Sequence, residues 1–129
     1  MVIDKDLIFE EDMAMPNATE ADAATVRDLG APGIAGSGSL WAIAVVTTKP
    51  TAGTSIQTKF QFSPDDSAWT EAFTGPAVAI ADAVVGKVLG CFAIPPDVYQ
   101  YIKGSLVGAG DVSTGKASLF MAHEPLKSL

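Results

Sequence analysis

The chain reads as an all-β protein, a sandwich or barrel of seven or eight short strands, and three stretches near its middle carry most of that reading. In Thr54 to Phe62, Ile56, Phe60 and Phe62 fall on one side with Thr58 between them, while Gln57, Lys59 and Gln61 fall on the other. Side chains alternate across a pleated strand, so this stretch predicts one buried face and one wet face. The polar loop Ser63-Pro64-Asp65-Asp66-Ser67 follows and Ala68 to Phe73 returns, the pattern of an antiparallel hairpin with a five-residue turn. Upstream, Leu40 to Val46 is apolar on both faces, as a strand inside a sandwich should be.

The remaining elements follow in chain order. Asp6 to Glu10 is a short strand candidate. Met13 to Ala24 has the Ala, Glu and Asp content of a helix, but Pro16 and the lack of an apolar stripe argue for extended or irregular chain. Thr25 to Leu29 reads as a strand ending at Gly30. The segment from Ala31 to Ser39 is rich in Gly, Pro and Ser and reads as a loop. It lacks the Gly-Lys-Ser/Thr ending and the following helix of a phosphate cradle. Lys49 to Gly53 turns the chain into the central strand. Past the hairpin, Pro76 to Ala81 and Val84 to Ile94 are apolar segments, the second bent at Gly86 and Gly90 and stopped at Pro95-Pro96, which cannot donate ladder hydrogen bonds. Tyr99 to Val107 and Lys116 to Ala122, separated by a Gly-rich turn, complete the set. Regular short strands with no helices between them specify a sandwich or a barrel.

A length of 129 residues suits one domain, residues 1–129, long enough to bury a core without staples. Apolar residues make up 48 %, yet many are Ala and only ten residues are aromatic, so the core is thin and a partner is expected to add stability. No run of about 18 uncharged apolar residues exists, which argues against a membrane span. Met1 to Asp6 lacks the basic start and apolar stretch of a secretory signal. The single Cys91 has no partner for an internal disulfide, in keeping with synthesis in a reducing cytoplasm.

Charge is uneven. Residues 1–28 hold eight acids against Lys5 and Arg27, a net −6 of the chain's −7, which leaves −1 for the other residues. Two readings stay open for this segment: solvated charge that keeps the protein soluble, or an acidic arm that docks on a basic surface. Both argue against nucleic acid as a partner, because Lys and Arg supply the attraction to phosphates.

The reactive residues assemble no reaction centre in the sequence. Nucleophilic chemistry needs a base beside a nucleophile and a third group to orient it. The only histidine, His123, lies near the chain end, and Cys91 sits in an apolar strand and reads as a small core residue. One Cys and one His give no close zinc-ligand spacing. Asp65-Asp66 lacks the twelve-residue acid spacing of a calcium loop and reads as a turn, since Asp side chains bond nearby backbone amides. Glu10-Glu11-Asp12 offers carboxylates for a glycosidase, but adjacent acids on an extended chain point opposite ways. Trp41 reads as core. Trp69, after a polar turn, is the one aromatic placed to serve as an exposed sugar platform. No cofactor is expected.

Taken together, several stretches resemble a known family. They are Met1 to Phe9 followed by an acidic turn with Asp12, Val26 to Gly30, Leu40 to Val46, Thr54 to Gln57, Gln61-Phe62-Ser63 with Asp65, Ile94-Pro95-Pro96, Tyr101-Ile102, and Thr114-Gly115-Lys116. In order and spacing the chain is similar to the small jelly-roll capsid cement, or decoration, proteins of tailed phages, of the Bordetella-phage type. The likeness stops before His123 to Leu129. It implies a single-domain, jelly-roll-like antiparallel β-sandwich of about eight strands. It further implies a virion structural protein, made in the host cytoplasm, that binds the outer surface of the major capsid protein shell and reinforces it. It implies self-association on capsid symmetry axes, as a homodimer or alternatively a trimer, and no catalytic residues. On this reading the acidic segment docks on the shell through Leu7, Phe9, Glu10, Glu11 and Asp12, an apolar strand flanked by acids. The alternative is a carbohydrate-binding or adhesion module of a virion on the same sandwich, since fold alone does not separate the two. A cupin-like enzyme is disfavoured by the single histidine.

Overall fold

The computed structural model describes residues 8–17, 20–23, 26–28, 41–94 and 101–122. Ten strands run in the order β1 Ile8–Ala14, β2 Glu20–Asp22, β3 Arg27–Asp28, β4 Trp41–Thr48, β5 Ser55–Ser63, β6 Thr70–Thr74, β7 Val78–Ala79, β8 Val88–Ala93, β9 Tyr101–Ala109 and β10 Lys116–Ala122. A 3-10 turn, Ile80–Asp82, lies between β7 and β8. Sheet one has the order β1-β10-β4-β8. Sheet two has the order β2-β9-β5-β6, with β3 also on β9 and β7 also on β5.

The topology follows from two mergers. Since β5 occupies one side of β9 along its whole length, β2 and β3 share the other side, at Ser105–Val107 and at Tyr101–Ile102. They are one interrupted edge strand. By the same reasoning β6 and β7 form an interrupted edge strand on β5. The eight strands that result pair antiparallel in a nested set: β5 with β6/β7, β4 with β8, β2/β3 with β9, and β1 with β10. The chain is therefore one long hairpin rolled up so that successive pairs fall in alternate sheets. That is a jelly roll. Each edge of sheet two is broken into short pieces, which limits templating by foreign strands.

The central strand behaves as its alternation requires. Ile56, Thr58, Phe60 and Phe62 of β5 are buried, while Gln57, Lys59 and Gln61 lie on the other face. The inner faces meet in one core, in which Phe9, Phe62 and Phe73 converge on Phe60 and Phe92. Phe9 and Phe92 lie 5.8 and 5.7 Å from Phe60 between ring centroids, and Phe73 stacks on Phe92 at 4.7 Å with the planes 6° apart. The small residues Ala42, Ala44 and Ala117 stand in the same core, and their lack of bulk leaves room for the rings. The Ala-rich composition thus serves close approach of the sheets.

Sheet one is apolar on its second face as well. Ile43, Val45, Phe120 and Ala122 are buried there, with Ile8, Trp41, Val88 and Cys91 packed against them. The two-faced apolar character of Leu40 to Val46 is realised over Trp41–Thr48. Trp41 and Cys91 are half-buried on this outer layer, outside the space between the sheets.

Several boundaries differ from the sequence reading. The return strand begins at Thr70, so the turn runs from Pro64 to Trp69. Its shape is set by Asp65, whose Oδ1 accepts the Ser63 hydroxyl and the amides of Ser67 and Ala68, each at 3.0 Å. Within Val84 to Ile94 the first four residues form a turn, and β8 starts at Val88. Of the stretch from Met13 to Ala24, Met13 and Ala14 lie in β1 and Glu20–Asp22 form β2, and none of its described residues is helical. The Ala31 to Ser39 loop, the Pro95-Pro96 stop, His123 and Leu7 lie outside the described residues.

Candidate functional site

The acidic N-terminal segment is built into both sheets. Strand β1 is the terminal strand of sheet one, and β2 and β3 form an edge of sheet two. Met15 and Pro16 make the crossing, with the Met15 amide donating to the Gly115 carbonyl at 2.9 Å. The described part of the segment is therefore rim and not a detached arm.

Along β1 the ladder to β10 is interrupted twice. Ile8 to Met13 spans five steps opposite three between Phe120 and Ala117, with shifts on either side of Glu10. Two extra residues on one strand bend and twist it. Asp12 takes up the bend at φ 50°, and its amide donates to Ser118 Oγ at 3.0 Å. Regular alternation would put Phe9, Glu11 and Met13 on one face; the bulges explain why Glu11 is exposed, with Asp12, between two core residues.

This arrangement divides the residues expected to dock. Phe9 is 1 % exposed and packed on Phe60. Its ring completes the protein's own core, so it is not available as a surface anchor while the fold is intact. Glu10 is half-buried. Glu11 and Asp12 are the two members that β1 holds fully in solvent.

A second constellation lies on the outer face of sheet two. Lys59 Nζ pairs with Glu20 at 2.8 Å, and Lys103 Nζ pairs with Asp22 at 3.1 Å. Ser105 Oγ donates to the other Asp22 oxygen at 2.8 Å. Lys103 also lies over the Trp69 ring, 4.6 Å from its centroid, a cation–π contact that keeps its side chain only 14 % exposed. Burial works to raise the Asp22 carboxyl, but the hydrogen bonds from Ser105 and Lys103, with the charges of Lys103 and Lys59, outweigh it and hold it below the ordinary value. The Glu20 hydrogen bond raises Lys59 against the opposing effect of burial. Asp65 is lowered chiefly by the Ala68 amide, then by the Ser63 hydroxyl and the Ser67 amide.

The sequence showed Lys59 on a wet face but not its partner. Asp22 lies 81 residues from Lys103 in the chain, and the ion pairs of Asp22 and Glu20 exist only because β2 runs beside β9, which runs beside β5. Two acids of the N-terminal segment are thereby neutralised within the molecule. Trp69 keeps one ring face against Lys103, which leaves less of it for a stacked sugar. Among the described residues no group of three or more His, Cys, Asp or Glu side chains stands close enough to hold a metal ion, and no helix is long and apolar enough to cross a membrane.

Comparison of the chain with protein-family models finds no match, and comparison with curated proteins finds none.

Proposed function

We propose that this protein is a capsid cement protein of a tailed phage, which binds the outer surface of the major capsid protein shell and clamps neighbouring subunits. The observation that carries the reading is the combination of a rolled-up eight-strand sandwich with an acidic rim. Glu11 and Asp12 are held in solvent on a terminal strand whose core residues, Phe9 and Met13, anchor it. A rigid rim that carries acids suits a basic seam between shell subunits, because charge complementarity steers and orients docking without reordering the docking strand. Many copies of a modest contact add up, since linking several seams through one oligomer raises effective concentration. A homodimer on two-fold axes is the favoured assembly, with a trimer as the alternative.

The test is head decoration by a charge-neutral rim. Removing residues 1–12 would also remove Phe9 from the core, so the informative variant is Glu11→Gln with Asp12→Asn. Asn tolerates the left-handed backbone that Asp12 adopts. Phage heads stripped of this protein should bind the wild type at full occupancy. The variant should fold normally, bind more weakly at 0.1 M salt, and lose most of its salt dependence. Screening shortens from about 10 Å at 0.1 M to about 3 Å at 1 M, so the wild type should weaken over that range. Wild-type protein that leaves heads bare while binding glycans would favour the adhesion reading.

A further inference from the structure

The outer face of sheet two carries an indole that a relay of side chains holds in place. Ser105 Oγ donates to Asp22 at 2.8 Å, and Asp22 pairs with Lys103 Nζ at 3.1 Å. That ammonium stands 4.6 Å from the centroid of the Trp69 ring. The Lys103 side chain is only 14 % exposed while Trp69 is half-buried. One face of the ring therefore caps the lysine, and part of the indole stays in solvent. Trp69 precedes β6 and Lys103 lies in β9, two strands away, so the two meet over β5. An ion pair near the surface adds little stability, so shielding this one is a weak reason to immobilise an indole.

The side chains beside the ring suit hydrogen bonding. Gln61 stands opposite Lys103 on one side and opposite Glu71 on the other. The three make a row across three strands, at about 5 Å per strand. The Gln61 amide is half-buried and has no hydrogen-bond partner among the described residues. Glu71 is exposed. The amide offers both donors and an acceptor, and the carboxylate offers acceptors. Tyr101, two residues before Lys103 on β9, adds a second half-buried ring to the same face.

This chemistry selects the ligand. Lys59 and Lys103 are both paired with acids, and Glu71 adds a third carboxylate, which disfavours phosphates. A protein partner needs an apolar centre. The large hydrophobic side chains that the described residues leave exposed, Val84 and Val85, lie elsewhere, in the turn before β8. A neutral sugar ring fits both restrictions. A pyranose lays its apolar C–H face on an indole and sends its hydroxyls, each a donor and an acceptor, to amides and carboxylates at the rim.

We infer that the outer face of sheet two is a binding site for neutral saccharides. Trp69 is the stacking platform, Gln61 and Glu71 hydrogen-bond the hydroxyls, and Ser105, Asp22 and Lys103 position the ring. The site goes beyond the cement reading and uses no residue of the β1 rim. On a decorated head, many weak copies of it would act together.

The experiment is affinity electrophoresis of the full chain through gels that contain dextran, mannan or galactan, with heparin and hyaluronate as charged controls. The wild type should be retarded by at least one neutral polysaccharide and by neither charged one. Trp69→Ala should weaken that binding about ten-fold or more, and Gln61→Ala about three- to ten-fold. Trp69→Phe, which keeps a ring, should bind better than Trp69→Ala; if the Ala variant does not fold, the Phe variant and Gln61→Ala carry the comparison. The rim variant Glu11→Gln/Asp12→Asn should be retarded like the wild type. No retardation by any of the three neutral polysaccharides overturns the site, and so does retardation that the Trp69 and Gln61 variants leave unchanged. Retardation by heparin or hyaluronate alone overturns it too, because the face would then select charge. Sugar binding by a protein that leaves phage heads bare would overturn the cement reading and leave this site standing.

Discussion

Phe60 shows how the residues divide their tasks. It is fully buried, touches the rings of Phe9 and Phe92, and so links β1, β5 and β8 across both sheets. Truncation to Ala removes that link and opens a cavity between sheets that small residues already keep close. The expected loss is about 3–5 kcal/mol, read from chemical denaturation; a near-neutral effect would contradict the inward placement of the β5 face. Gly108 is constrained differently. A Cβ there would collide with the backbone carbonyl of Pro16, which crosses over β9 between the sheets. Gly108→Ala should therefore cost at least about 1–3 kcal/mol, because a backbone atom cannot move aside as a side chain can. Asp22 supplies a pH signature. Its carboxyl is lowered in the folded state, so it stabilises the fold above the unfolded value and loses that contribution as pH falls through the folded one. The melting-temperature gap between wild type and Asp22→Asn should be widest near neutral pH and shrink below about pH 4. Lys59 acts with the opposite sign: its pKa is raised, so its contribution holds at neutral pH and is lost only at strongly alkaline pH. A gap that does not change down to pH 2 would mean that the Lys103 and Ser105 contacts to Asp22 do not form in solution.

At the scale of elements, the broken edges matter most. Strand β1 carries two bulges, and both edges of sheet two are interrupted, between β2 and β3 and between β6 and β7. Continuous edges would invite pairing between copies through backbone alone; interrupted ones leave recognition to side chains. That is why the proposed docking contacts are named side chains, Glu11 and Asp12 on the rim. Removing one of the two bulges of β1, by deleting one residue from the Glu11-Asp12 pair, should lower head occupancy and turn Met13 away from the core. Loss of thermal stability together with occupancy is the expected result. A shortened strand that melts like the wild type would show that the register tolerates a slip.

At the scale of the whole molecule, the nested pairing joins strands far apart in the chain. The outermost pair is β1 with β10, so the first and last strands lie side by side and the fold closes only when both are present. Contacts of this kind are far apart in sequence, which predicts folding in milliseconds to seconds rather than microseconds, as stopped-flow fluorescence of Trp41 and Trp69 would report. Self-association belongs to this scale as well. The thin Ala-rich core, together with a symmetric shell, leads us to expect a homodimer by light scattering, and a strictly monomeric mass at all concentrations would remove that expectation.

Local pattern in the chain was enough for the class of the fold and for the face that each central strand buries. Alternation in Ile56 to Phe62 places Ile56, Thr58, Phe60 and Phe62 inward, because a strand of period two leaves no other choice once one face is dry. The doubly apolar run through Ile43 to Val46 marked the strand at the middle of sheet one. The turn at Asp65 was legible because its hydrogen bonds close within three residues. What lay beyond local pattern was decided by pairing over long separations. Glu20 and Asp22 looked like free acids until β2 was set beside β9, where Lys59 and Lys103 neutralise them. Phe9 looked like an exposed anchor until β1 was set beside β10, where the ring turns onto Phe60. Val84 and Val85 looked like the start of a buried strand, and only the placement of the β4–β8 pair left them in solvent. The physical reason is the same in each case. Whether a side chain is dry, paired or exposed depends on its neighbours in space, and in a nested hairpin those neighbours come from the opposite end of the chain.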